Sequence, residues 1–197
     1  MNGSSPYRNI ATEHALIALV RTFREGWSSG VPSAYRRVGR RIGMVGVLFP
    51  SENEFHRHSK YLRMVSIVEA CLDTVGSSLL REDYPSAPDL YRKLIDEAEV
   101  TSSRGWPDRR KAFKHYHGID LSTVPRHGDL DGVSDVRNAI AHGLGVLTPR
   151  QRTASVRRRI ESVDVPVRDN RVIVADNSIS FCYEFSREFI IGFDKNL

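Results

Sequence analysis

The string Asp135-Val136-Arg137-Asn138-Ala139-Ile140-Ala141-His142-Gly143 brings an arginine, a carboxamide and an imidazole to the end of one predicted helix. At about 100° per residue, Asn138 and His142 stand four apart on one stripe, and Arg137 lies on the adjacent face with the reach to close the gap. An imidazole, with an ordinary pKa of about 6.5, takes or gives a proton near neutral pH. A guanidinium presents planar donors that match a phosphate, and Asn138 is placed to orient the His142 ring. Such a trio is equipped for phosphodiester chemistry on RNA without a metal. A plainer reading stands beside it. Gly143 is a residue type that commonly follows a helix end, so His142 could simply complement the negative end of the helix dipole while Arg137 is a solvated surface charge.

The segment Val136 to Gly143 resembles the signature of the HEPN superfamily (higher eukaryote and prokaryote nucleotide-binding). There an Arg is followed by a polar residue and, after a short gap, by a His; Arg137, Asn138 and His142 fill all three positions. The resemblance covers roughly residues 50 to 197. It implies a mainly α, HEPN-like helical bundle and a metal-independent endoribonuclease needing no cofactor. In such an enzyme His142 acts as base on the RNA 2′-hydroxyl or as acid to the leaving 5′-oxygen, and Arg137 stabilises charge on the phosphoryl oxygens. The products are a 2′,3′-cyclic phosphate and a 5′-hydroxyl. One helix end supplies one base and one cation, so the resemblance also implies a homodimer with the motif helices at its interface. Toxins and phage-defence effectors are the implied biological class, with an antitoxin or defence-system protein as a further partner. The alternative within the same family is a non-catalytic module that binds nucleotides, RNA or a partner protein.

Other residues carry weaker signals. Glu69 and Asp73 are four apart on the preceding long helix, where one of them is placed to support His142 or Arg137; as ordinary solvated charges they need no such role. The formal net charge is +5, and arginines cluster at Arg36-Arg37, Arg40-Arg41, Arg109-Arg110 and Arg157-Arg158-Arg159. Such clusters attract phosphodiesters, which makes Arg109, Arg110, Arg157 and Arg158 candidate RNA contacts, although any one charge run is more often a solvated helix face. Trp106 and Tyr116 lie among Arg109, Arg110, Lys111 and Lys114, where they would either stack on bases or pack in the core. His56 and His58, like His115 and His117, are two apart and point to different sides of a helix, so no metal site is expected. A Walker-type glycine loop is absent from the sequence, which leaves an ATPase without support.

The elements that must position these residues follow from periodicity and punctuation. A chain of 197 residues with 40% hydrophobic content predicts one domain, 1–197, divided into an N-terminal helical extension over 1–50, a helical core with the motif over 51–162, and a β-hairpin plus C-terminal helix over 163–197. Helices are predicted over about 11–27 and 33–49, the latter stopped by Pro50. Ser51 and Glu54 form a capping-box pattern opening the longest helix, roughly 51–82, whose stripe Tyr61, Met64, Val65, Val68, Leu72, Val75, Leu79 and Leu80 is the expected central packing face. Shorter helices follow near 89–99 and after Gly105-Trp106-Pro107, and Thr148-Pro149 predicts a basic helix over 149–162. Asp169-Asn170 between valine-rich runs predicts a small hairpin, with Pro166 keeping the first strand at an edge. A last helix, about 178–194, carries Phe181, Phe185, Phe189, Ile190 and Phe193. The two cysteines, Cys71 and Cys182, sit in apolar helical patterns and read as core in a reducing compartment. Neither a signal peptide nor a bilayer-length apolar run is present, so a soluble cytoplasmic protein with no membrane partner is expected.

Overall fold

The computed structural model describes residues 7–24, 52–82 and 88–197. The helix expected over 33–49, the Ser51 end of the capping box and the arginine pairs at 36–37 and 40–41 lie outside the described residues. The fold is mainly helical with a two-stranded antiparallel hairpin before a final helix, as the sequence predicts. In chain order the elements are α1 (Ile10–Arg24), α2 (Glu52–Glu82), α3 (Asp89–Ser102), α4 (Trp106–His117), α5 (Leu130–Gly143), α6 (Ala154–Ser162), β1 (Val167–Arg168), β2 (Arg171–Val172) and α7 (Asp176–Lys195). No described helix is long and apolar enough to cross a membrane.

The chain divides into two compact units. One comprises Met1–Leu19, Ser66–Gly128 and Phe185–Leu197, the other Val20–Val65 and Asp129–Glu184. Helices α1, α2 and α7 each contribute residues to both units.

In the first unit, Val68, Leu72 and Val75 of α2 recur at helical spacing and are buried, as are Phe185, Phe189 and Phe193 of α7. Phe193 meets Phe113 of α4 edge-on at 5.2 Å between ring centroids, and Phe189 meets Trp106 at 6.1 Å. Rings prefer such edge-to-face packing because their faces are electron-rich and their edges are not. Gly192 lets α7 approach the Pro125 ring so closely that any Cβ there would collide with it. Asp194, 4% exposed, accepts hydrogen bonds from the backbone amides of Arg8 at 2.9 Å and Asn9 at 3.1 Å, just ahead of α1. Cys71 is buried and unbridged as expected, and burial pushes its thiol up to about 12. The thiol therefore stays protonated at neutral pH and is no nucleophile.

In the second unit, α5 and α6 pack together through Gly132, whose Cβ, if present, would strike the Arg159 carbonyl oxygen. The single basic helix expected over 149–162 is divided. Pro149–Gln151 is one 3₁₀ turn closed by a capping box between Thr148 and Gln151, and Thr153 then opens α6 by accepting from the Val156 amide. A second cap four residues after Pro149 restarts the helix rather than continuing it. The hairpin pairs Val167 with Val172 and Arg168 with Arg171. Its turn residues, Asp169 at φ 49° and Asn170 at φ 58°, are both left-handed, as a two-residue turn of the primed kind requires. Tyr61 and Cys182 are buried here, and Phe23 stacks on Tyr183 at 4.2 Å.

Candidate active site

Helix α5 turns Leu130, Val133, Val136, Ala139 and Ile140 inward, all of them buried. This apolar arc leaves Asn138, Ala141 and His142 on the outward side, with Arg137 at its margin. The guanidinium of Arg137 crosses that margin and donates from Nη1 to Asn138 Oδ1 at 3.1 Å. Asn138 thus restrains the arginine, whereas the sequence alone points its carboxamide at the imidazole. His142 is exposed, and among the described residues no hydrogen bond or ion pair fixes its ring. The three motif residues stand together on one outward surface. What this helix end presents is a half-buried cation bonded to Asn138 and an exposed imidazole.

The helix does not end at Gly143 in the expected way. Gly143 is still helical, and the left-handed residues are Leu144 at φ 51° and Gly145 at φ 92°. The amide of Leu144 donates to the Ile140 carbonyl at 3.1 Å and that of Gly145 to the Ala139 carbonyl at 3.0 Å, which closes the end of the helix. His142 therefore sits in the last full turn of α5.

Asp135, one turn before Asn138 and close to the motif, has a role that the sequence reading does not assign. Its carboxylate accepts from Arg159 Nε at 2.9 Å and its carbonyl oxygen accepts from Gln151 Nε2 at 2.8 Å. Together with Gly132 these contacts clamp α5 to α6 and to the 3₁₀ turn ahead of it. Burial raises the pKa of Asp135, and the Arg159 bond opposes that rise without cancelling it. A spacing signal for this exists, since an acid on the motif helix faces a basic helix that begins within about twenty residues.

The basic candidates separate. Arg157 and Arg158 are exposed on α6, with Arg157 bonded to Asn170 Oδ1 at 3.3 Å, so both charges can meet solvent polyanions. Arg109 cannot. It is 6% exposed, and its guanidinium donates to both carboxylate oxygens of Asp73, each at 2.7 Å, with Glu69 at 3.9 Å and the Trp106 ring at 5.3 Å. A bidentate pair of this kind fills the planar donors that a phosphate would need. Burial lowers the pKa of Arg109, but the bonds and charge of Asp73 more than offset this and the net shift is upward. The same contacts engage Asp73 and, at longer range, Glu69 with Arg109. Trp106 is buried beneath that guanidinium, Arg110 is half-buried, and Tyr116 is 49% exposed. Among the described residues, no three His, Cys, Asp or Glu side chains gather as a metal would require.

The site is thus a single outward end of α5, carrying Arg137, Asn138 and His142, clamped by Asp135 to the basic helix that presents Arg157 and Arg158. Comparison with family models, curated proteins and solved structures finds no match.

Proposed function

We propose that the chain is a metal-independent endoribonuclease of the HEPN type. The observation that carries this reading is the pairing of Arg137 with Asn138 on the same exposed helix end as His142. In the proposed reaction the imidazole takes the proton of the RNA 2′-hydroxyl. The 2′-oxygen then attacks phosphorus, the bond from phosphorus to the 5′-oxygen breaks, and a proton is delivered to that oxygen. The products are a 2′,3′-cyclic phosphate and a 5′-hydroxyl. Arg137 stabilises the charge that builds on the non-bridging oxygens, and its restraint by Asn138 means little reorganisation is needed when that charge appears. Arg157 and Arg158 supply attraction for the flanking phosphates.

One His142 cannot stand on both sides of the phosphorus in one turnover, so the active unit is a homodimer that brings two α5 ends into one cleft. A growth-arresting or antiviral role in the cytoplasm, with an antitoxin or defence-system partner, fits a chain whose activity destroys RNA.

The test is incubation of the purified protein with total RNA in excess EDTA, followed by end-group analysis. Cyclic phosphate and 5′-hydroxyl ends are expected, and a strict need for Mg²⁺ or Mn²⁺ would overturn the mechanism. Mixing wild type with excess His142→Ala protein, after subunit exchange is verified by native mass spectrometry, should lower activity per wild-type chain. Unchanged activity in heterodimers would remove the shared cleft.

A second reading has one observation in its favour. Helix α3 has no buried residue and exposes Leu90, Tyr91 and Leu94 at 67%, 53% and 54%. Apolar exposure of that size is a mark of protein-binding surfaces. A chain that binds a protein through α3 and cuts no RNA would be the non-catalytic member of the pair.

A further inference from the structure

The turn that follows His142 is held more firmly than a surface turn requires. Leu144 has a Cβ, which disfavours the left-handed region, so neighbouring contacts must impose that conformation. Backbone bonds do part of this: the Val172 amide donates to the Gly145 carbonyl at 2.9 Å and the Leu147 amide to the Asn170 carbonyl at 2.7 Å. Val146 forms an isolated antiparallel bridge with Arg171. The hairpin thereby gains a third backbone segment at its β2 edge.

Three side chains complete the brace. Arg171 donates from Nη2 to the Leu144 carbonyl at 3.4 Å and from Nε to Glu54 Oε1 at 3.2 Å. Glu54 Oε1 also lies 3.9 Å from Nε2 of His58, whose ring is buried directly against Gly145. A Cβ at Gly145 would stand 2.8 Å from His58 Cε1, so the ring fills the space of the missing side chain. Glu54 and His58 come from the start of α2 and Arg171 from β2, and they converge on the short segment that follows His142 in the chain.

We propose that Arg171, anchored by Glu54, is a positioning residue for His142. By holding the Leu144 carbonyl it fixes the last turn of α5, and with it the placement of the imidazole relative to Arg137. Arg171 itself does not touch the reacting atoms. This inference rests on His142 being the reactive base, because a displacement of about 1 Å in a catalytic group can cost about a hundredfold in rate.

The experiment compares Arg171→Ala, Arg171→Lys, Glu54→Gln and Arg168→Ala in RNA cleavage and in NMR of the His142 ring. Arg171→Ala should lower kcat about ten- to a hundredfold with KM little changed, and Arg171→Lys should restore part of the loss. Glu54→Gln should act in the same direction and more weakly, and it keeps the proposal testable if Arg171→Ala does not fold. Arg168→Ala removes an equal charge from the same hairpin and should leave kcat unchanged. In Arg171→Ala the His142 ring signals and the Leu144 and Gly145 amide signals should move. Wild-type kcat in the folded alanine variant, or unmoved ring and amide signals, overturns the proposal. If the wild-type protein cuts no RNA, the nuclease reading fails on its own, and the NMR arm alone supports or overturns the brace.

Discussion

Arg137 donates to Asn138 Oδ1 at 3.1 Å, a bond between neighbours in sequence that point about 100° apart around α5. The long guanidinium side chain curls back along the helix surface to make it. The arginine is consequently held over the outward side that carries His142 instead of extending into solvent. Its orientation is set before any phosphate arrives.

For this reason His142→Ala and Arg137→Ala should each lower RNA cleavage about 10²- to 10⁴-fold while leaving urea midpoints close to wild type, since neither side chain is buried. Asn138→Ala, which frees the arginine without removing it, should give a smaller loss in kcat. Cleavage that survives either of the first two changes would remove the mechanism.

Arg109 and the Arg157-Arg158 pair should behave in opposite ways. Arg109→Ala should destabilise the fold by about 3 kcal/mol, the low end for a broken buried ion pair, because Asp73 keeps some contact with water. Arg157→Ala and Arg158→Ala should shift stability by less than about 0.5 kcal/mol. They should weaken RNA binding across sequences and lower the slope of log K against log salt by about 1 for each phosphate that is no longer neutralised. A salt slope that responds to Arg109 and not to Arg157 or Arg158 would reverse this assignment.

Gly132→Ala places a Cβ against the Arg159 carbonyl oxygen and the Val163 side chain, where the nearest neighbour is backbone and cannot swing aside. A loss of about 1–3 kcal/mol in thermal or urea unfolding is expected, the usual range for overpacking. Stability equal to wild type would mean that α5 and α6 part easily.

The pH dependence of stability should carry a signature of His58. Burial lowers its pKa from the ordinary 6.5; Glu54 opposes the shift and Arg171 reinforces it. The folded chain keeps the ring neutral where the unfolded chain has begun to bind a proton. Stability is then fully present above about 6.5 and declines as pH falls towards the lowered folded value. Urea midpoints at pH 7.5 and pH 5.5 should differ more in wild type than in His58→Gln. An equal difference in both proteins would place the acid sensitivity elsewhere.

Elements with strong periodicity or turn chemistry are legible from residues alone. The stripe from Tyr61 to Val75 sets α2, and Asp169-Asn170 sets the hairpin turn, because few other residues accept two left-handed conformations in succession. Arg109 is deceptive as a sequence signal because adjacent charges say nothing about direction. Its spacing of three from both Trp106 and Ala112 places it on the buried stripe of α4, and Glu69 and Asp73 supply the matching acids. The Arg137 to Asn138 bond is hidden for another reason, since neighbours in a helix do not ordinarily face each other and only a long side chain can join them. The restart at Thr153 and the left-handed Leu144 depend on local bonds that a motif string does not encode.

Asp194 meets the amides of Arg8 and Asn9 across 186 and 185 residues of chain. During synthesis, the carboxylate that receives those amides is added long after α1 has left the ribosome. The entry to the first helix must therefore wait for the last one, and a nascent chain stalled before residue 194 leaves the two amides without that acceptor. Contacts this distant along the chain are slow to form and late to protect, so the entry to α1 is among the later parts of the fold to be finished.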